Sequence, residues 1–210
     1  MTDSRPQRLP AAERRELMLD AASIVFGERG YTGTTTDAVA VAAGVSQAYI
    51  VRTFGSKEAL FAETAGRALS RIEAVFRQAA APDSSAGDTV QERLGRAYVD
   101  LVADRGILLT VMHLFTLGHH DTFGSLARDG FLSIYRLLRD EIGLTPQEAE
   151  GFLAKGMLIN TMLGLRLPDV VTTEPDAGEL IACVLEDATE EVVTLTTGHR
   201  PLGSAARNSN

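Results

Sequence analysis

The chain has 210 residues, 45% hydrophobic and 23% charged, which excludes a disordered or collagen-like polymer and leaves enough length to bury a substantial core. Its single cysteine, Cys183, excludes a disulfide framework and a thiolate zinc site within one chain. No apolar run reaches the roughly 18–20 residues of a membrane span, and the polar segment Met1 to Pro10 has no hydrophobic stretch behind its arginines, so a soluble cytoplasmic protein is expected.

Helical periodicity runs through almost the whole sequence, and no long strand-like alternation occurs. Leu17, Ala21, Ile24 and Val25 form one apolar face of a first helix, Ala12 to Arg29, which Gly30 stops. Thr34, Thr35 and Thr36 offer N-caps for a short helix, Asp37 to Ala43, ended by Gly44. Ser46 caps the next, Gln47 to Phe54, and Ser56 caps a long one, Lys57 to Ala80, whose first turn carries Glu58 where the helix dipole favours an acid. Ala81 to Asp88 reads as a linker. Further helices are expected over Thr89–Asp104, Ile107–Leu117, Phe123–Ile142, Gln147–Leu167 and Ala177–Thr197, with stops at Arg105-Gly106, Gly118, Gly143 and Pro168-Asp169. The reading is an all-α fold of about nine helices. Residues 1–11 form a flexible arm, 12–56 a three-helix domain, 57–198 a helical body and 199–210 a disordered tail.

The net charge of −8 is unevenly spread over this plan. Met1 to Lys57 carries seven Lys/Arg against six Asp/Glu, and the rest carries thirteen against twenty-two. A near-neutral head on an acidic body suits a small DNA-reading module, although an acidic body is also a common route to solubility.

Two short helices joined by Ala43-Gly44-Val45-Ser46 have the dimensions of a helix-turn-helix. Val39, Ala40, Ala43, Val45, Ile50 and Phe54 supply a small shared core, which leaves Gln47, Ala48, Tyr49, Val51, Arg52 and Thr53 facing outward. Gln47 suits adenine, Arg52 suits guanine, and Ala48 or the Thr53 methyl suits a thymine methyl. Thr35 or Thr36, with the first backbone N–H groups of the shorter helix, suits a phosphate, and Lys57 is placed to reach the opposite strand.

The run TTTDAVAVAAGVSQAYIVRTFGSKEALF, Thr34 to Phe61, resembles the tetracycline-repressor (TetR) family of transcriptional regulators, and AASIVFGERGYTGTT resembles that family's first helix and its exit. The resemblance covers roughly Arg14 to Ala65. It implies that Thr35 or Thr36 caps the second helix and contacts phosphate, that Gln47, Ala48 and Tyr49 lie in the base- and phosphate-contacting segment, that Thr53 contacts phosphate, and that Lys57 grips the DNA backbone. Family members often carry tyrosines where this chain has Val51 and Thr53, and a base where it has Asp37, so no operator sequence carries over. Arg5 and Arg8 suit either a minor-groove arm or a free one.

The resemblance further implies a homodimer formed by the last two helices, a palindromic operator in double-stranded DNA, and a small-molecule effector, apolar or amphipathic, held by the middle helices. Gly156, Asn160 and Gly164 make a small-residue stripe, and Ile181, Leu185, Ala188, Val192 and Leu195 an apolar one, each able to face a partner or the chain's own core. Tyr98, Met112, His113, Phe115, Phe123, Phe131, Tyr135, Met157, Asn160 and Met162 are the expected effector-pocket residues. His119-His120-Asp121 reads as a solvated turn rather than a metal site, Cys183 as a small buried hydrophobe, and no cofactor motif is present. Two alternatives stand at this point: a helical interaction module without specific DNA binding, and an enzyme, for which no catalytic motif is present.

Overall fold

Hydroxyl and carboxylate caps set most helix starts in this protein, whose computed structural model describes residues 10–81, 89–102 and 104–185. Helix α1 (Ala11–Gly33) is followed by α2 (Thr36–Ala43), α3 (Gln47–Phe54) and α4 (Lys57–Ala80). The side chains of Thr35, Ser46 and Ser56 accept from the backbone N–H of Ala38, Tyr49 and Ala59, each satisfying an otherwise orphaned donor. Gly44, at φ 66° and ψ 31°, makes the left-handed turn between α2 and α3 that a side chain would disfavour. The body adds α5 (Val90–Val102), α6 (Arg105–Thr116), α7 (Gly124–Arg136), α8 (Pro146–Gly164) and α9 (Pro175–Leu185). Thr145 and Glu148 cap α8 reciprocally. Among the described residues there are nine α-helices and no strand, and no helix is long and apolar enough to cross a membrane.

Several bounds move by one or two residues from the sequence reading, and four differ for an identifiable reason. Gly30 does break α1, at φ 68° and ψ 175°, but one more helical turn follows it to Gly33. Arg105-Gly106 is no stop, because Asp104 accepts from Ile107 N–H and starts α6 at Arg105. The helix expected over Phe123–Ile142 is α7 followed by a π-helical turn, Leu137–Glu141, that widens before Gly143 turns at φ 89°. Helix α8 ends at Gly164, where Arg166 adopts φ 58°, pairs with Asp169 and opens a 3-10 turn, Leu167–Val170. The arm with Arg5 and Arg8, most of the loop after Ala81, and the chain beyond Leu185, including Ala188, Val192, Leu195 and the tail, lie outside the described residues.

The core is continuous from head to body because α1 and α4 belong to both. Met18, Leu19, Ala22, Val25 and Phe26 of α1 are buried with Val39, Ala40, Ile50 and Phe54 of the short helices and with Leu60 and Phe61 of α4. The opposite flank of α1 crosses α6 at two glycines. A Cβ on Gly106 would lie 3.1 Å from the Ser23 carbonyl carbon and 3.2 Å from the Ile24 nitrogen, and one on Gly27 would lie 3.1 Å from the Gly106 Cα. At this crossing Thr110 Oγ1 donates to the Ser23 carbonyl at 3.0 Å. Backbone lies against backbone, so moving a side chain alone does not make room for a larger residue. Gly106→Val is expected to lower the unfolding free energy by about 1–3 kcal/mol, measured as a lower denaturant midpoint with the slope unchanged.

Candidate nucleic-acid interface

Amphipathicity orients α3. Ile50 and Phe54 are buried against Val39 and Ala40, with Ala43 and Val45 packed at the margin. Gln47, Ala48, Val51 and Arg52 are exposed, Tyr49 and Thr53 are half-buried, and no described segment of the chain covers this face. Gln47 Nε2 donates to Thr36 Oγ1 at 3.0 Å, which fixes the amide across the α2–α3 turn. One amide hydrogen and the amide oxygen of Gln47 stay available, the pair that adenine recognition requires. Thr53 Oγ1 donates to the Tyr49 carbonyl at 2.8 Å, and Thr35 Oγ1 is occupied as the α2 cap. Thr34, offered by the sequence as a third cap, is buried and donates to the Gly30 carbonyl at 2.8 Å, closing the break in α1.

Lys57 has work inside the chain that the sequence did not signal. Its Nζ donates to the carbonyls of Tyr31 (3.1 Å) and Thr34 (3.2 Å) and lies 4.4 Å from the Tyr31 ring centroid. An ammonium has three protons, so one donor remains for a phosphate. Arg15 is a second residue missed by periodicity: it forks onto both Glu63 carboxylate oxygens, bonds the Thr53 carbonyl and covers the Phe54 ring, tying α1, α3 and α4 together. Tyr31 is a third. Its ring packs against Phe61 and Phe123, and its hydroxyl donates to Glu58 at 2.7 Å. Burial first, then the bond to Glu58, pushes the phenol up to about 12, and the same bond holds the Glu58 carboxyl below the usual carboxylate range. All three are long polar side chains acting between elements far apart in sequence, a pattern a local reading does not contain.

The expected pocket residues divide among several environments. A groove of about 940 Å³ opens between α1, α4, α5, α6 and α8, with Met112, His113 and Asn160 on its walls. Ile24, Leu109 and Leu165 add apolar lining, and Arg29, Arg71 and Asp100 add charge. Tyr98, Phe115, Phe131 and Met157 instead surround a cavity of about 40 Å³ inside the bundle, which also reaches Asn160. The Tyr98 hydroxyl donates to Asn160 Oδ1 at 2.7 Å, and burial pushes its phenol upward. Phe123 is in neither space, being packed between Tyr31, Phe61 and His120, and Met162 and Tyr135 also line neither.

Several other expected roles shift. Gly156 makes room for Tyr98, whose Cζ would lie 3.3 Å from an added Cβ, so the small-residue stripe of α8 receives the chain's own α5 there. Ile181 and Leu185 of α9 are buried in the chain's own core, whereas Gly164 is exposed. Cys183 is exposed, not buried as expected, because α9 turns Ile181 and Val184 inward on either side of it. His120 stacks on Phe123, with ring centroids 4.6 Å apart, and its Nδ1 accepts from Thr122 N–H. Among the described residues no group of three His, Cys, Asp or Glu could hold a metal.

Residues 18–64 match the bacterial regulatory proteins of the tetR family. Over 75 residues the chain is 40% identical to the HTH-type transcriptional activator FasR of Mycolicibacterium smegmatis, which is 36% of this chain and 34% of that protein. The match thus spans about a third of the length of the curated relative. The crystal structure of a TetR-like transcriptional regulator from Rhodococcus sp. RHA1 aligns over 90% of this chain and 96% of its own, with a TM-score of 0.52 and 25% identity. A structure described as a transcriptional regulator from Pseudomonas aeruginosa PAO1 aligns over 93% and 100%, with a TM-score of 0.57 at 16% identity, a likeness of fold alone.

The Tyr31–Glu58 bond is open to a direct test. Because the folded carboxyl is held low, its contribution is present above the unfolded value of ~4.3 and is lost as pH falls through the folded one. Tyr31→Phe is expected to move the Glu58 titration, followed by carboxyl NMR, up towards ~4.3, and the stability gap between wild type and variant to narrow as the solution is acidified.

Proposed function

We propose that this chain, whose residues 18–64 match the bacterial regulatory proteins of the tetR family, acts as a homodimeric, ligand-released repressor reading a palindromic operator. Its relatives by sequence and by fold are transcriptional regulators rather than enzymes. The observation that carries the reading is the bare outer face of α3, where Gln47, Ala48, Val51 and Arg52 are exposed on a helix braced from behind by Ile50 and Phe54. That face enters the major groove. Gln47, oriented by Thr36, reads a base edge, Ala48 packs on a neighbouring thymine methyl, and the N-terminal N–H groups of α2 with the third proton of Lys57 hold phosphates on either side.

The outer surfaces of α8 and α9 support pairing with a second copy. Leu158 and Leu180 are exposed there, with Cys183 alongside. This reading moves the interface from the expected Ile181 and Leu185 stripe to the opposite side of α9, whereas Gly164 lines the groove. A two-fold pair presents two α3 helices to one face of a duplex, which matches a palindrome.

The groove is the effector site, and its mixed lining suits an amphipathic small molecule. His113 connects it to the head. Its Nε2 lies 3.2 Å from the Gly27 carbonyl, which only accepts, so this nitrogen carries the proton. The ring also lies against Gly30, the break from which the chain enters α2. A ligand that favours a displaced α6 moves His113 and the end of α1 with it, and differential affinity of ~1–3 kcal/mol for the two states is enough to release DNA. Occupying an operator suffices to block transcription. The activator FasR matches this chain over only 34% of its length, and the sign of regulation follows the operator's position relative to the promoter.

The test is binding to the duplex immediately upstream of this chain's own gene. Lys57→Met is expected to weaken binding similarly on all sequences and to lower the salt slope by about one. Gln47→Ala is expected to relax preference at one base pair, worth ~1–3 kcal/mol. Equal loss on every sequence for Gln47→Ala contradicts its base-reading role.

A further inference from the structure

Two guanidinium groups share one tyrosine ring at the edge of α3. Arg14, in the first turns of α1, has its Cζ 5.6 Å from the Tyr49 ring centroid, and Arg52 of α3 has its Cζ 4.8 Å from the same point. Two other arginines of α1 and α4 are neutralised. Arg15 is forked onto Glu63, and Arg67 is held by Glu16 and Asp20. Arg14 and Arg52 have no carboxylate partner among the described residues, and Arg14 Nε is buried with no acceptor.

That arrangement is costly as it stands. A buried donor without an acceptor costs ~1–3 kcal/mol, and two like charges facing one ring repel each other. The face of Tyr49 offsets part of this through cation–π attraction, about 0.5–2 kcal/mol per cation. An anion met by the outward nitrogens of both guanidiniums offsets the repulsion between them, while the buried Arg14 Nε stays out of its reach. With α3 in a major groove, as proposed above, a guanidinium folded onto Tyr49 at the edge of that helix is placed for the bordering sugar-phosphate strand rather than for a base edge.

We propose that Arg14, Tyr49 and Arg52 form a clamp for a single phosphodiester of bound DNA, with Arg14 a contact from α1. The clamp rests on the reading of α3 as the groove-facing helix, and it moves Arg52 from the guanine contact expected from sequence to the backbone. By gripping one phosphate from two helices, it fixes the tilt of α3 against the helix that joins head to body.

The experiment is fluorescence anisotropy of the full chain with a random-sequence duplex and with the upstream duplex over a series of salt concentrations. Arg14→Gln, Arg52→Gln, the double variant and Arg14→Lys are compared, with Arg77→Gln as the same charge change on the body, where Arg77 pairs with Glu141. Each single Gln variant is expected to weaken both duplexes about threefold to tenfold and to lose most of one unit of salt slope. The double variant is expected to lose no more than about one unit, because one phosphate is released in either case. Arg14→Lys restores the slope, and Arg77→Gln leaves it unchanged. A double variant that loses about two units would mean two separate phosphates, and one that keeps the full slope while melting earlier would reduce Arg14 to a structural brace; either result overturns the clamp. A wild-type chain that binds neither duplex overturns the reading of α3 itself, which is a separate outcome.

Discussion

The close crossing of α1 and α6 is the constraint on which the rest of the molecule depends. Two glycines, Gly27 and Gly106, bring the helix backbones together, and Thr110 and His113 of α6 bond the carbonyls of Ser23 and Gly27 there. Those carbonyls lie within two turns of the break at Gly30, the point from which α2 and α3 are suspended. The reading head is therefore an extension of a helix already bound to the body. The aromatic contact of Tyr31, Phe61, Phe123 and His120 closes the other side of the same joint. A joint held at two places transmits a displacement of α6, whereas one held at a single place would swivel.

Charge is distributed to suit this joint. Carboxylates beside this joint would repel DNA, yet Glu63, Glu16 and Asp20 are engaged by Arg15 and Arg67 across the α1–α4 contact. Exposed pairs of this kind contribute little stability singly. Here they also hold carboxylates away from the two cations that share the Tyr49 ring, Arg14 and Arg52. The near-neutral head thus presents a positive edge that its total charge does not suggest.

The N-terminal part of the fold was legible because its signals are local. Gly44, Ser46 and Ser56 bound α3 and the start of α4 by cap and turn chemistry that acts over a few residues, and the observed bounds of α3 and α4 coincide with the reading. The reading failed where a residue serves a distant neighbour. Gly106 was taken for a breaker because glycine usually is one, but its role is to admit α1. Ile181 and Leu185 formed a stripe that periodicity cannot assign to a partner or to the chain's own core, and the buried side proved to be their own. Phe123 was grouped with pocket residues on composition alone, and it belongs to the head–body joint. Among the outward residues, α3 itself was visible in the pattern, whereas the bond of Gln47 to Thr36 and the two carbonyls held by Lys57 needed coordinates.

In the proposed dimer, a body that fixes two reading heads must also fix the distance between their marks on DNA. Hydroxyl-radical footprinting of the full chain on the upstream duplex measures that distance directly. The account predicts two protected patches on one face of the helix, separated by ~34–36 Å or a whole multiple of it. A single patch, or two whose spacing drifts from one duplex to another, would contradict it.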